Sequence, residues 1–151
     1  LIGTFLMTKY VLKTMIPRKT GRIINILSVN AKVGHTFGSA YASSKHGVLG
    51  MTRSMALEMG FLGLPGITVK AICPGAVRTE MMEGEGGLLD FVSKAKGVNR
   101  EGAIAYITDM NLQKRLLDPE EIAGLALYLA SDEAKGVTGQ AINICAGQVM
   151  Y

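Results

Sequence analysis

A tyrosine and a lysine lie four residues apart in the segment YASSKHG, as Tyr41 and Lys45. In a helix this spacing places both side chains on one face, so the ammonium comes close to the phenol. A free phenol loses its proton near pH ~10, and a neighbouring positive charge lowers that pKa. The positive N-terminal end of a helix acts in the same direction. The pair is therefore a candidate proton donor and acceptor near neutral pH.

Ser28 is a second candidate, thirteen residues before Tyr41 and near the end of the apolar segment RIINILSV. A hydroxyl group at the end of a buried strand can hydrogen-bond a substrate oxygen and stabilise the negative charge that develops there. A lone Tyr-x-x-x-Lys pattern is also common on ordinary helices. The ordered combination is more specific: a strand ending in serine, a glycine-containing loop, a helix opening with the pair, and a strand ending in Pro-Gly.

The spacing of apolar residues predicts the helices and strands that position these side chains. Helical spacing extends over 1–16 and 39–62, and the first helix is expected to end before Pro17. The DPEE segment beginning at Asp118 signals a further helix to about residue 130, with an N-cap aspartate, a proline in the first helical position and acidic residues near the positive end.

Three apolar, β-branched segments predict strands over 22–29, 67–73 and 140–145. Their nearly continuous hydrophobicity is typical of strands buried on both faces. Because helices and strands alternate, the predicted fold class is α/β, a three-layer, doubly wound parallel sheet with helices on both faces. Ligands bind such sheets beyond the carboxyl ends of the strands, where Ser28 and the Pro74-Gly75 pair lie.

The composition excludes several classes of protein. A chain of 151 residues that is 48% hydrophobic and 19% charged suits one globular domain. The net charge of +4 comes from scattered basic residues, so no nucleic-acid partner is expected. Cys73 and Cys145 lack metal-ligand spacing, which predicts buried free thiols and no metal site. No segment predicts a membrane span or a signal peptide, so we expect no membrane partner and a cytoplasmic location.

The chain resembles the short-chain dehydrogenase/reductase family in four segments, in the order GRIINILS, YASSK, ITVKAICPGAVRTEM and DPEEIAGLALYLASDEAKGVTGQAINI. Extended relatives such as sugar epimerases share Tyr-x-x-x-Lys but usually lack the Pro-Gly-x-Val-x-Thr and Thr-Gly-Gln segments. The resemblance implies that 1–151 is the C-terminal part of a single NAD(P)-binding Rossmann-type catalytic domain. It also implies that the polar segment with short helices at 80–112 is a substrate lid, although a surface insertion remains an alternative.

The resemblance implies the catalytic roles of three residues. Tyr41 would be the catalytic acid and base, and Lys45 would lower its pKa and hold the nicotinamide ribose hydroxyls. Ser28 would orient and polarise the substrate carbonyl. The implied reaction interconverts a secondary alcohol and a ketone by hydride transfer with NAD or NADP. A 3-oxoacyl or hydroxy-acid substrate and a sugar or polyol substrate both stay open.

The resemblance also implies a set of cofactor-binding residues besides Tyr41 and Lys45. Pro74, Gly75 and Val77 would flank the nicotinamide, with the Val77 backbone near its carboxamide. Thr79 would hydrogen-bond the carboxamide or a phosphate oxygen. The mid-strand Asn25 is expected to be structural.

Other parts of the family's site are expected before Leu1. The catalytic asparagine would immediately precede the pattern Leu-x-Gly-x-Phe, with which this chain begins, and the Gly-rich phosphate loop would lie further upstream. Because the chain also starts inside an amphipathic pattern without an initiator methionine, we expect a fragment of a longer chain.

A few residues depart from the family pattern or leave alternatives open. Lys70 stands where an asparagine is frequent, and Ala146 stands where the first glycine of Asp-Gly-Gly is frequent. His35, in the loop before Tyr41, is a minor candidate for substrate contact, and His46 is expected at the surface or an interface.

The apolar area of the first two helices predicts a homo-oligomer, because such helices pair across a dimer in the family, and a homotetramer is typical. A non-catalytic fragment or interaction module, and an isomerase or lyase on the same scaffold, are the alternative functions.

Overall fold

The computed structural model describes all 151 residues and contains a three-stranded, fully parallel sheet. The strands lie side by side in chain order, and they are β1 (Gly21–Ile26), β2 (Ile67–Pro74) and β3 (Ala141–Ile144). The central strand, β2, pairs in parallel with both neighbours. The predicted parallel α/β fold is confirmed.

Six α-helices accompany the sheet, and they are α1 (Ile2–Arg18), α2 (Ser39–Phe61), α3 (Glu80–Glu83), α4 (Leu88–Lys96), α5 (Arg100–Thr108) and α6 (Pro119–Ala130). Side chains of β1 and β2 that face one side of the sheet, Ile23 and Val69 among them, pack against α1 and α2. Those that face the other side, including Ile72, pack against α6. The sheet is therefore the middle of three layers. None of the helices is both long and apolar enough to cross a membrane.

The predicted end of the first helix is wrong, because α1 continues through Pro17 to Arg18. A proline φ angle is compatible with a helix, although the ring removes one backbone donor and crowds the carbonyl of Lys13, four residues earlier. The Nε of Arg18 donates to the carbonyl of Thr14 at 3.0 Å, which satisfies a carbonyl in the last turn. The helix ends where Lys19 turns left-handed, with φ of 55°, and the N–H of Lys19 donates to Ile16 O at 3.1 Å.

The first strand is shorter than the predicted 22–29 and is not buried on both faces. After β1 the Ser28 hydroxyl accepts the N–H of Asn30 at 3.1 Å and caps a short 3-10 turn, Val29–Ala31, which turns the chain out of the sheet. Ile26 is 52% exposed, because β1 lies at the edge of the three strands described. Every residue of β2 is buried, as expected for a central strand.

The segment 80–112 forms the predicted short helices, and these have a hydrophobic core of their own. The buried residues of that core are Met82, Leu89, Val92, Ala103 and Ile107, together with Leu116, which follows the segment. Ala76, which follows β2, packs against the same cluster. The segment is therefore a small packed unit that is joined to the end of β2.

Lys70 connects the centre of the sheet to the end of α6. Its side chain is fully buried, and its Nζ donates to the carbonyls of Leu129 at 3.0 Å and Ala134 at 2.9 Å. Burial lowers the pKa of Lys70, and the positive charge of Arg22 lowers this pKa further. The lysine at this departure from the family pattern thus satisfies a carbonyl at the negative end of α6 and a second one in the 3-10 turn, Asp132–Ala134, that follows it.

We predict that Lys70→Met lowers the free energy of unfolding by roughly 1–3 kcal/mol, because buried carbonyls lose their donor. Urea denaturation of the protein that carries these residues measures the change. Lys135→Met is the matched control, since Lys135 is exposed and follows Ala134 directly. It should stay within about 0.5 kcal/mol of the parent. Equal effects of the two substitutions would contradict the capping role.

Candidate active site

Tyr41 and Lys45 lie in the first turns of α2, and Lys45 is anchored to the end of β1. The Lys45 Nζ lies 5.5 Å from the centroid of the Tyr41 ring. The same nitrogen donates to the carbonyl of Ile26, the last residue of β1, at 3.2 Å. Ile26 precedes Ser28 by two residues, so this bond brings the pair on α2 to the strand end that carries Ser28.

The surroundings of Lys45 change its proton affinity. Burial lowers the pKa of the Lys45 ammonium, and the nearby Cys73 acts in the opposite direction. Cys73 is completely buried, and burial raises the pKa of its thiol. Cys73 and Cys145 are both free and buried, as predicted from the sequence.

Ser28 has a hydroxyl proton available for a ligand. The side chain is mostly buried, and its oxygen accepts the N–H of Asn30. A serine hydroxyl has one donor and two acceptor positions, and only an acceptor position is engaged with the protein. The Ser28 O–H can therefore donate to an oxygen placed beside the end of β1.

The end of β2 passes very close to β3. The N–H of Gly75 donates to Ile144 O at 3.0 Å, and a Cβ on Gly75 would lie 2.9 Å from the Cα of Cys145. Only a glycine allows this approach, which keeps Pro74 and Gly75 at the same edge of the sheet as the end of β1.

The residues after Gly75 are held by the segment that precedes α6. Val77 forms an isolated parallel bridge with Leu117, whose N–H donates to Ala76 O at 2.9 Å. Thr79 is exposed before α3, and its hydroxyl donates to Val77 O at 3.4 Å. Val77 and Thr79 thus follow the end of β2 in a fixed backbone path.

Ion pairs that sequence reasoning missed tie this path to its neighbours. The Arg78 guanidinium lies 3.3 Å from a Glu83 oxygen and 3.4 Å from an Asp118 oxygen, so it joins α3 to the start of α6. Arg115 binds both carboxylate oxygens of Glu121, at 2.7 and 2.8 Å. That guanidinium, together with the Asp118 N–H, lowers the pKa of Glu121 to about 2. The available signal in the sequence was the basic pair Lys114-Arg115, which precedes the acidic DPEE segment.

Asn25 and His46 both make contacts within the protein. The Asn25 amide donates to the Thr52 hydroxyl at 2.9 Å, and Thr52 donates to Val48 O at 2.8 Å. Asn25 therefore fastens β1 to α2, which agrees with a structural role. His46 is exposed, and one of its ring nitrogens lies 2.9 Å from Ala42 O on the same helix.

Comparison with known proteins gives matches along the whole chain. A family model described as Enoyl-(Acyl carrier protein) reductase matches residues 1–148. An uncharacterized oxidoreductase of Bacillus subtilis (strain 168) is 44% identical over 149 residues, which are 97% of this chain and 55% of that relative.

Solved structures with the same fold are also similar in sequence. An actinorhodin polyketide ketoreductase variant with NADPH is 40% identical, with a TM-score of 0.89, over 100% of this chain and 56% of that chain. Sorbitol-6-phosphate 2-dehydrogenase from Erwinia amylovora is 35% identical, with a TM-score of 0.90, over 100% of this chain and 57% of that chain. The chain thus spans little more than half the length of these relatives.

The parallel sheet, its helical layers and these matches define a Rossmann-type fold. Within this class, the chain belongs to the short-chain dehydrogenase/reductase family, as the sequence motifs predicted.

We predict that Gly75→Ala destabilises the protein by roughly 1–3 kcal/mol, because the added methyl group forces the backbones of β2 and β3 apart. Gly124→Ala is the control, since a Cβ there meets no atom within 4 Å and alanine favours the helix. Thermal unfolding followed by circular dichroism compares the two. A Gly75→Ala protein as stable as the Gly124→Ala protein would show that the strand ends are not closely constrained.

Proposed function

We propose that the protein containing these residues is an NAD(P)-dependent oxidoreductase that interconverts a secondary alcohol and a ketone. The observation that carries the proposal is the position of Lys45. Its Nζ lies 5.5 Å from the Tyr41 ring centroid and is bonded to Ile26, two residues before Ser28. A phenol, an ammonium and a free hydroxyl proton therefore share one end of the sheet.

The residues present fit a nicotinamide and its ribose. Lys45 has three N–H donors, and a single one is engaged with the protein, so two remain for ribose hydroxyls. The close approach of Gly75 to Cys145 fixes the backbone path that continues to Val77 and Thr79. Pro74, Gly75, Val77 and Thr79 form the cofactor-binding edge in this proposal. When bound, the nicotinamide supplies or accepts the hydride.

The protein's own side chains carry the proton and the developing charge. In ketone reduction, the Ser28 hydroxyl donates to the substrate carbonyl oxygen, and the Tyr41 hydroxyl gives that oxygen its proton as the carbonyl carbon receives the hydride. The Lys45 ammonium stabilises the phenolate that remains. Alcohol oxidation runs the same steps in reverse. Lys45 is bonded to the end of β1, and Ser28 lies two residues after that strand, so orientation at the sheet end contributes to the rate.

The substrate we favour is of the 3-oxoacyl or hydroxy-acid type. The matching family description names an acyl carrier protein, and one similar structure is a polyketide ketoreductase. A sugar or polyol substrate is the second candidate, which the similarity to sorbitol-6-phosphate 2-dehydrogenase supports.

We propose that 1–151 is the C-terminal part of one catalytic domain and that 80–112 is its substrate lid. The short helices of that segment have a hydrophobic core of their own, which supports its interpretation as a lid.

We also propose that the complete protein is a homo-oligomer. Large apolar side chains are exposed on the two long helices, among them Phe5 on α1 and Leu57 and Phe61 on α2. An apolar groove lies between these helices, and Phe5 and Met51 line it.

Light scattering of the complete protein should give at least the mass of a dimer, and the substitution Phe5→Glu should reduce that mass. A strictly monomeric parent protein would contradict this prediction.

We predict that Tyr41→Phe lowers kcat by about 10²–10⁴-fold, because the proton donor is lost while the ring is retained. Nicotinamide absorbance, followed with a panel of 3-oxoacyl and polyol substrates, measures turnover of the complete protein.

Binding of NADH or NADPH to the Tyr41→Phe protein, measured by calorimetry, should remain within a few-fold of the parent. Tyr10→Phe is the matched control, since Tyr10 is exposed on α1. Retained turnover in Tyr41→Phe would refute the proton-transfer role, and a parent protein without dinucleotide binding would favour the non-catalytic alternative.

A further inference from the structure

His35 and Tyr41 form the only contact between two aromatic rings in the chain. The chain has five tyrosines and four phenylalanines, yet the one ring pair is His35 with Tyr41. Their centroids are 6.2 Å apart and their planes make an angle of 68°, an edge-to-face arrangement. The tyrosine proposed to transfer the proton is thus the tyrosine that has an aromatic neighbour.

The His35 ring is itself held in place. Its Nδ1 lies 3.1 Å from the carbonyl oxygen of Thr36, and because a carbonyl only accepts, Nδ1 carries the hydrogen. The opposite side of the ring lies directly on Gly38, the residue before α2. A Cβ on Gly38 would overlap the Nε2 and Cε1 atoms of His35. The imidazole therefore depends on a glycine at position 38.

The Tyr41 ring needs such support. It is 38% exposed, and its hydroxyl makes no hydrogen bond within the protein. Two groups that contact its ring are the Lys45 ammonium, which is bonded to Ile26, and the His35 imidazole, which is held by Thr36 and Gly38. Because a single exposed ring can adopt other rotamers, its neighbours determine where the hydroxyl points.

We propose that His35 is a positioning residue for Tyr41. Its ring packs against the tyrosine and holds the phenol in the orientation from which the hydroxyl reaches the substrate oxygen. The inference rests on the proposed function, and it assigns His35 an effect on turnover through ring packing, without a hydrogen bond to substrate. A misplaced reacting group lowers kcat, while the affinity for the cofactor is unaffected.

The experiment compares His35→Phe, His35→Gln and His35→Ala in the complete protein, by steady-state kinetics with NADH or NADPH. Phenylalanine keeps a ring, whereas glutamine keeps a polar group without one. We expect His35→Phe to retain kcat within about twofold. The glutamine and alanine variants should lose about 2- to 12-fold in kcat, the range that corresponds to one edge-to-face pair, with KM for the cofactor unchanged.

Gly38→Ala tests the same contact while leaving the imidazole intact. The added methyl group displaces the His35 ring, so kcat should fall as in His35→Ala, and the double variant should fall no further. Gly34→Ala is the matched control in the same loop, because a Cβ at Gly34 meets no atom within 4 Å. It should retain the parent kcat.

Two results would overturn the proposal. A His35→Gln protein that keeps kcat while His35→Phe loses it would show a polar contact instead of ring packing. Parent kcat in all three His35 variants would show that Tyr41 is held by other means. Misfolding would also lower the kcat of His35→Ala. Recovery of kcat in His35→Phe, which keeps a ring, distinguishes the loss of ring packing from misfolding. An active parent with inactive Tyr41→Phe and unaffected His35 variants would refute this inference alone, whereas an inactive parent would refute the proposed function.

Discussion

The hydrogen bond from Lys45 Nζ to the carbonyl of Ile26 is the contact on which the geometry of the site depends. It joins the first turns of α2 to the end of β1, two elements that are separated by a loop. It fixes a flexible four-carbon side chain by its charged end, which leaves two donors directed elsewhere. Burial of this ammonium lowers its pKa, so the same packing that fixes the group makes its charge more costly.

The strand ends and the segment 80–112 are held by different kinds of packing. The strand ends are held by the sheet, where Gly75 brings the backbones of β2 and β3 into direct contact. The segment 80–112 has a core of its own and is joined to the sheet through Ala76 and through the ion pairs of Arg78. Exposed ion pairs contribute little free energy. The strand ends are thus held by contacts that do not depend on the packing inside the small helical unit.

Periodicity predicted the elements well, since α2, α6 and β2 begin and end within one or two residues of the predicted positions. It failed at Pro17, where proline sits in a last helical turn, and at the end of β1, where a serine cap competes with the strand ladder. The spacing of Tyr41 and Lys45 predicted their proximity. The contact of His35 with Tyr41 was beyond sequence reasoning, because it depends on the loop conformation at Gly38 and not on a repeat.

The burial of Lys70 has a practical consequence for studies of the folded protein. A primary amine that solvent does not reach is protected from acylating reagents and from lysine acetyltransferases. It reacts only in molecules in which the end of α6 has separated from β2, because both carbonyl partners lie on that side. Mass-spectrometric detection of modified Lys70 would therefore report how often this part of the molecule opens under native conditions.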